Sequence, residues 1–200
     1  MRILEHSSQW QWPKTPRFWS TTMKSPSGRT KVLVSSPSFL SSGVNCRPFL
    51  THPIALADVL ANEGGVTDVA VLCACVLHDT IEDTDTTAEE LRQHFGPHIA
   101  GLVLEVTDDK SLPKQERKAQ QIAHAAHSSA GAKLVKLADK ICNLRDLLAS
   151  PPKDWSSQRK AEYFEWAGQV VAGLRGTNAQ LEAVFDGLMA RRPTAEVGHR

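Results

Sequence analysis

The chain has 200 residues, 41% of them hydrophobic and 22% charged, with a formal net charge of +1. That is enough length for one domain with a real core, and the near-neutral charge argues against a nucleic-acid partner. No apolar run approaches a membrane span and the N-terminus lacks the apolar block of a secretory signal, so no membrane partner is expected.

Residues 1–47 carry seven Lys/Arg against one acid, Glu5, a local net charge of +6 that leaves −5 for residues 48–200. The same stretch holds ten Ser and three of the five Trp, with Pro13, Pro16, Pro26 and Pro37 breaking any helix. No 3.6-residue period survives, so residues 1–47 are expected to be irregular. Their basic, acid-poor composition is shared with mitochondrial transit peptides, but the amphipathic Arg helix of such a peptide is absent.

From Pro48 the chain reads as successive helices. Residues 53–63 are periodic and stop at Gly64-Gly65, with Pro53 starting the helix and His52 at its cap. Thr67 is expected to cap a helix running through VAVLCACVL to His78. That run is apolar on every side, which predicts the central buried helix. DTIEDTDTT follows with no helical period. Thr87 and Glu90 form a capping box for a helix ending at Gly96, and residues 98–107 form another. Pro113 suits the first position of a helix over 113–126. Residues 131–149 place apolar side chains at 134, 137, 138, 141, 144, 147 and 148 and end before Pro151-Pro152. Further helices are expected from about Ser156 to 174 and over 178–191, broken at Gly176. No segment alternates with period two. The fold class is therefore all-α, a bundle of about seven helices over residues 48–192, with a short tail at 193–200. Cys73, Cys75 and Cys142 lie in apolar runs and no C-x-x-C pair exists. With Cys46, they suit small hydrophobes in a reducing, cytoplasmic compartment.

The chemistry centres on His78-Asp79, an ionisable pair at the end of an apolar helix, where burial requires a partner such as a metal. His78-Asp79-Thr80-Ile81-Glu82-Asp83 puts three carboxylates and an imidazole within six residues, a repulsive group unless a cation sits among them. A solvated acidic loop is the plainer alternative. Asp139 interrupts the apolar stripe of 131–149, with Asn143 one turn on along the same face. It either faces the core as a ligand or pairs with Lys136 or Lys140 at the stripe's edge. Lone histidines such as His52, His94, His98, His124 and His127 carry little signal by themselves.

The sequence resembles the HD superfamily, whose ligand pattern is H…HD…D, and within it the pyrophosphohydrolase domain of RelA/SpoT enzymes and their small single-domain animal homologues. The resemblance rests on THP at 51–53, LHDTIEDTDTT at 77–87, EVTDDKSLPKQERK at 105–118, HSSAGAKLVKLADKICNLRDL at 127–147 and EYFEWAGQVV at 162–171. It implies one divalent cation held by His52, His78, Asp79 and Asp139. Mn²⁺ is favoured, and Fe²⁺ or Zn²⁺ also suits the mixed N/O set. Glu82 and Asp83 take general acid–base roles, with the division between them open. Lys114, Asn143, Arg159 and Tyr163 carry over as substrate-binding residues, and Lys136 is a further candidate phosphate cation. The implied substrate is a nucleotide: ppGpp, hydrolysed at its 3′-diphosphate to GDP and pyrophosphate, or NADPH at its 2′-phosphate. An HD phosphohydrolase for other nucleotides and a catalytically silent binding isoform are the competing readings.

The chain departs from the family pattern at its N-terminus. Pro48-Phe49-Leu50-Thr51-His52-Pro53 stands where members carry a Pro-Tyr-Ile-Asn-His-Pro-like segment, and residues 1–47 do not match the family's first helix and basic loop. Loss of that helix predicts an exposed apolar groove, and loss of the loop predicts a weaker phosphate clamp.

Overall fold

The structure, a computed structural model, describes residues 47–193, and all the regular structure in them is helical. Apart from Arg47 and Pro193, the expected N-terminal segment and C-terminal tail lie outside these residues, as does the question of the family's first helix. In chain order the elements are α1 (Arg47–Asp58), a π-helical turn (Val59–Glu63), α2 (Val69–Leu77), α3 (Thr80–Asp83), α4 (Ala88–Val106), α5 (Lys114–Ala125), α6 (Ala130–Ala149), α7 (Ser157–Ala172) and α8 (Ala179–Met189). No described helix is long and apolar enough to cross a membrane.

The helix ends have local causes. The expected capping box is present at Thr87 and Glu90, and Ser129, Ser156 and Asn178 each accept a backbone N–H at the start of α6, α7 and α8. Gly96 (φ +84°) bends α4 where two helices were expected, and Pro97 follows it. Three expectations are corrected. Asp68, not Thr67, caps α2, its carboxylate accepting from the N–H groups of Ala70 and Val71. The α1 helix begins by Arg47 and runs through Pro53 at the cost of one intrahelical hydrogen bond, so His52 is a helical residue rather than a cap. Residues 80–83, read as irregular, make a short helix.

The central element is also not the one expected. The α2 helix leaves Val69 67% and Val76 46% exposed, because α1, α4 and α6 cover only one side of it. The hub is α6, which touches α1, the π-turn, α2, α4, α7 and α8. It buries Ala132, Val135, Leu137, Ala138, Ile141, Leu144 and Leu147 against Leu56, Leu60, Val103, Phe164 and Phe185 in one core. Cys75 and Cys142 lie in this core as free thiols. A bidentate ion pair from Arg145 on α6 to Glu63 (2.6 and 2.7 Å) fastens the π-turn to the hub.

The α5 and α7 helices pair through very close contact near their ends. A Cβ at Gly173 would lie 2.7 Å from the Ala125 Cβ and 2.9 Å from the Ala126 backbone nitrogen. Backbone cannot yield as a side-chain tip can, so Gly173→Ala is expected to destabilise the fold by about 1–3 kcal/mol. The urea midpoint should fall with an unchanged m-value, and an unchanged midpoint would contradict the packing described.

Candidate active site

Three of the four expected ligands converge. His52 comes from α1, His78 closes α2 and Asp139 lies midway along α6, and one donor atom of each falls within 4.8 Å of the others. The two imidazole centroids are 5.5 Å apart. His52 Nε2 lies 3.4 Å from Asp139 Oδ1. Asp79 stands next to this group rather than in it, with its Oδ2 2.9 Å from His78 Nε2. The abrupt turn from α2 into α3 aims the pair. Asp79 sits at φ −96°, ψ 0°, and the Thr80 hydroxyl donates to the Leu77 carbonyl at 2.6 Å.

The donor chemistry fits a divalent cation. His78 Nδ1–H donates to the Cys75 carbonyl at 2.8 Å, which holds the ring and turns Nε2 toward the acids. Burial works against a charged His78, yet the hydrogen bond and charge of Asp79, the charge of Asp139 and the Cys75 carbonyl carry its pKa up to about 9. A cation would take that proton's place. Asp139 is mostly buried, which favours its neutral form, but Lys140 and the two histidines hold it ionised far below the ordinary carboxylate range. Asn143 donates Nδ2 to Asp139 Oδ1 at 2.6 Å. Lys140 Nζ lies 2.9 Å from Oδ2. The two sequence readings of Asp139 are therefore both present: it faces the cluster and it pairs with Lys140.

Beside the cluster is a cavity of about 110 Å³ lined by His78, Asp79, Glu82 and Asp139, with Lys136 and Lys140 as its cations. Glu82 and Asp83 differ here. Glu82 lines the cavity and accepts the Asp108 N–H at 2.7 Å. Burial, then the nearby Asp108 and Asp79, raise its carboxyl to about 7 against that hydrogen bond and Lys110. Asp83 is instead paired with Lys110 (2.5 Å), whose ammonium also donates to the Glu82 carbonyl (2.7 Å).

The expected substrate residues split into two groups. Asn143 is engaged with Asp139. Lys114, Arg159 and Tyr163 lie on the face made by α5 and α7, where the positive charges of Lys114, Arg117, Lys118 and Arg159 depress one another's lysine pKa values after burial has done so. Tyr163 sits between Trp155 and Trp166 (centroids 5.8 and 5.2 Å). Arg159 lies 4.4 Å over Trp155. Lys140 joins the two halves, touching Asp139 on one side and lying 4.5 Å over the Trp166 ring on the other. Sequence reading did not single out Lys118, Trp155, Trp166, Lys110, Asp108 or Gln121 for the site. The aromatic residues of an otherwise aromatic-poor helical domain were the available signal.

Two imidazoles and a carboxylate converging inside a helical bundle, with the His78-Asp79 pair at a helix end, fit a divalent cation and the H…HD…D pattern of the HD type. The HD-domain model matches residues 42–165. The chain belongs to that family. It is 59% identical over 145 residues to the guanosine-3′,5′-bis(diphosphate) 3′-pyrophosphohydrolase of Mus musculus, covering 72% of this chain and 81% of that protein. Identity to the Drosophila melanogaster protein of the same description is 52% over 145 residues, with the same coverage. A solved structure described as a metazoan orthologue of SpoT that hydrolyses ppGpp superimposes with a TM-score of 0.70 at 51% identity, over 72% of this chain and 81% of that one.

The Asn143 contact gives a direct test. Removing the amide frees one oxygen of Asp139 from its orienting donor, so Asn143→Ala is expected to weaken divalent-cation binding about 10- to 100-fold while the fold persists. Titration of the apoprotein with Mn²⁺ reads this, and undiminished affinity would show that Asn143 does not orient Asp139.

Proposed function

We propose that the chain is a metal-dependent hydrolase that cleaves the 3′-diphosphate of ppGpp to give GDP and pyrophosphate. The observation that carries this is the meeting of His52, His78 and Asp139 beside a cavity lined by Glu82, Lys136 and Lys140. The names and identities of the relatives support it. We assign His52, His78, Asp79 and Asp139 to one divalent cation, Mn²⁺. When bound, the cation supplies Lewis-acid polarisation of a phosphoryl oxygen and acidifies water.

In this reading Glu82 is the general base. Its carboxylate takes a proton from the attacking water, the water oxygen joins phosphorus, the phosphorus–O3′ bond breaks, and the proton passes to the departing ribose oxygen. Asp83 acts through Lys110, which it holds against the Glu82 carbonyl. The cavity of about 110 Å³ is small for a whole nucleotide. Only the reacting phosphate enters it, and Lys114, Arg159 and Tyr163, with the Trp155 ring, take the remaining phosphates and the base. A cavity that receives only the phosphate end does not distinguish one ribose ester from another, so the 2′-phosphate of NADPH is a second substrate in this reading.

Release of pyrophosphate from ppGpp and of phosphate from NADPH, with Mn²⁺ added, should be seen for the full chain and lost in Asp79→Ala. A folded, metal-loaded protein that releases neither would make it a silent binding isoform, and turnover confined to other nucleotides would make it a different HD phosphohydrolase. Glu82→Gln should lower kcat about 10²- to 10⁴-fold with metal content retained. Because the ionised form of Glu82 is the working one, kcat/KM should fall as pH drops through an acid limb no higher than about 7, since a bound cation can only lower its pKa. An acid limb unchanged in Glu82→Gln would assign the base elsewhere.

A further inference from the structure

Two buried lysines line the cavity, and they are not equivalent. Lys140, 4% exposed, has its charge committed to Asp139 Oδ2 and the Trp166 ring. Lys136, 8% exposed, lies one turn earlier on α6. Among the described residues its ammonium makes a single hydrogen bond, to the Val106 carbonyl at 3.4 Å, the long limit for such a bond. An ammonium carries three donors and is seldom buried without a close anionic partner. The carboxylates of Asp108, Asp139 and Glu82 act on it through space, and burial and Lys140 act against its charge. None of these acids pairs with it directly; Asp108 accepts from Gln121, Glu82 from the Asp108 N–H, and Asp139 from Lys140 and Asn143.

A second wall of the same cavity shows matching unmet capacity. Gln121 donates Nε2 to Asp108 Oδ2 at 2.6 Å, which fixes the orientation of its amide. Its Oε1 is buried and meets no donor among the described residues. Donors without acceptors on Lys136 and an acceptor without a donor on Gln121 flank one small space beside the cation cluster. Leaving such groups unsatisfied is costly, so the space suits a ligand rich in acceptor oxygens that also brings a hydroxyl or water.

We propose that Lys136 binds the non-bridging oxygens of the reacting phosphate of the substrate's diphosphate, in the cavity beside the His52–His78–Asp139 cluster. This rests on the diphosphate hydrolysis proposed above and adds a phosphate-binding residue to it. Lys136 meets the reacting phosphate inside the cavity, whereas Lys114 and Arg159 meet the remaining phosphates outside it. The competing role is structural, in which the Lys136 ammonium serves the C-terminus of α4 through the Val106 carbonyl.

The test uses the full chain loaded with Mn²⁺ and inorganic pyrophosphate as the probe. Calorimetric binding, bound Mn²⁺ and Tm are measured for wild type and Lys136→Met, and ppGpp turnover is followed separately. The expected result is pyrophosphate binding weakened roughly tenfold or more in Lys136→Met, with bound Mn²⁺ unchanged. Equal pyrophosphate binding by wild type and variant, with or without a lower Tm, would overturn the inference and leave Lys136 as a helix cap. No pyrophosphate binding by wild type would also overturn it. If Lys136→Met does not fold, a crystal structure of wild type with Mn²⁺ and pyrophosphate decides. Nζ within about 3.2 Å of a phosphate oxygen supports the inference, and Nζ still on Val106 with the anion elsewhere overturns it. Should wild type bind pyrophosphate through Lys136 yet leave ppGpp intact, the substrate reading fails and Lys136 stands as a diphosphate-binding residue for another substrate.

Discussion

A carboxylate, Asp139, set into the busiest helix of the bundle, is the constraint on which the site depends. Each of its oxygens is spoken for: Lys140 holds one, and Asn143 and His52 approach the other. An isolated carboxylate in this position would be neutral. Kept ionised, it fixes where His52 must arrive from α1 and where His78 must end α2. The α6 helix can impose this geometry because it contacts nearly every other element, so small movements of the bundle are referred to a single axis.

Charge in the site is divided by location. The acids gather where α1, α2, α3 and α6 meet, and basic and aromatic residues stacked on one another gather on α5, on α7 and at Trp155 just before it. Two buried lysines stand at the boundary, on the acidic side. Lys140 spans it physically, from a carboxylate to an indole. Positive charge therefore prevails on the α5–α7 face, and the acids crowd where a cation would screen them.

Much of this was legible in the residues. Periodicity located the long helices, and the Thr87–Glu90 box and Ser156 marked their starts, because those signals are local. His78, Asp79 and Asp139 stood out because charge on an apolar run needs a reason. His52 did not, since a histidine before a proline is compatible with a plain cap, and it was the resemblance that raised it. What escaped depended on neighbours distant in sequence. The exposed side of α2 is invisible in a segment apolar all round, because periodicity cannot say which face is covered. The four residues of α3 are too few to show a period. The different circumstances of Glu82 and Asp83 are set by Asp108 and Lys110, from a loop more than twenty residues downstream. Lys136 reads as one of several candidate phosphate cations and Lys140 as an ordinary flanking charge until α6 is seen buried on nearly all sides.

The π-helical turn at Val59–Glu63 shows where this chain can absorb a change in length. A π-turn holds one residue more than an α-turn spanning the same hydrogen bond. Here it falls after His52 has been placed, and the Glu63–Arg145 pair resets the register behind it. No such slack exists in α6, where Lys136, Asp139, Lys140, Asn143 and Arg145 each make a side-chain contact within ten residues. One added residue there would turn everything beyond it by about 100°, sending Asp139, its amide support and the Glu63 anchor to the wrong faces together. Length variation among descendants of this sequence should thus be tolerated around residue 60 and purged between 136 and 145, a pattern set by helical geometry before any selection on chemistry.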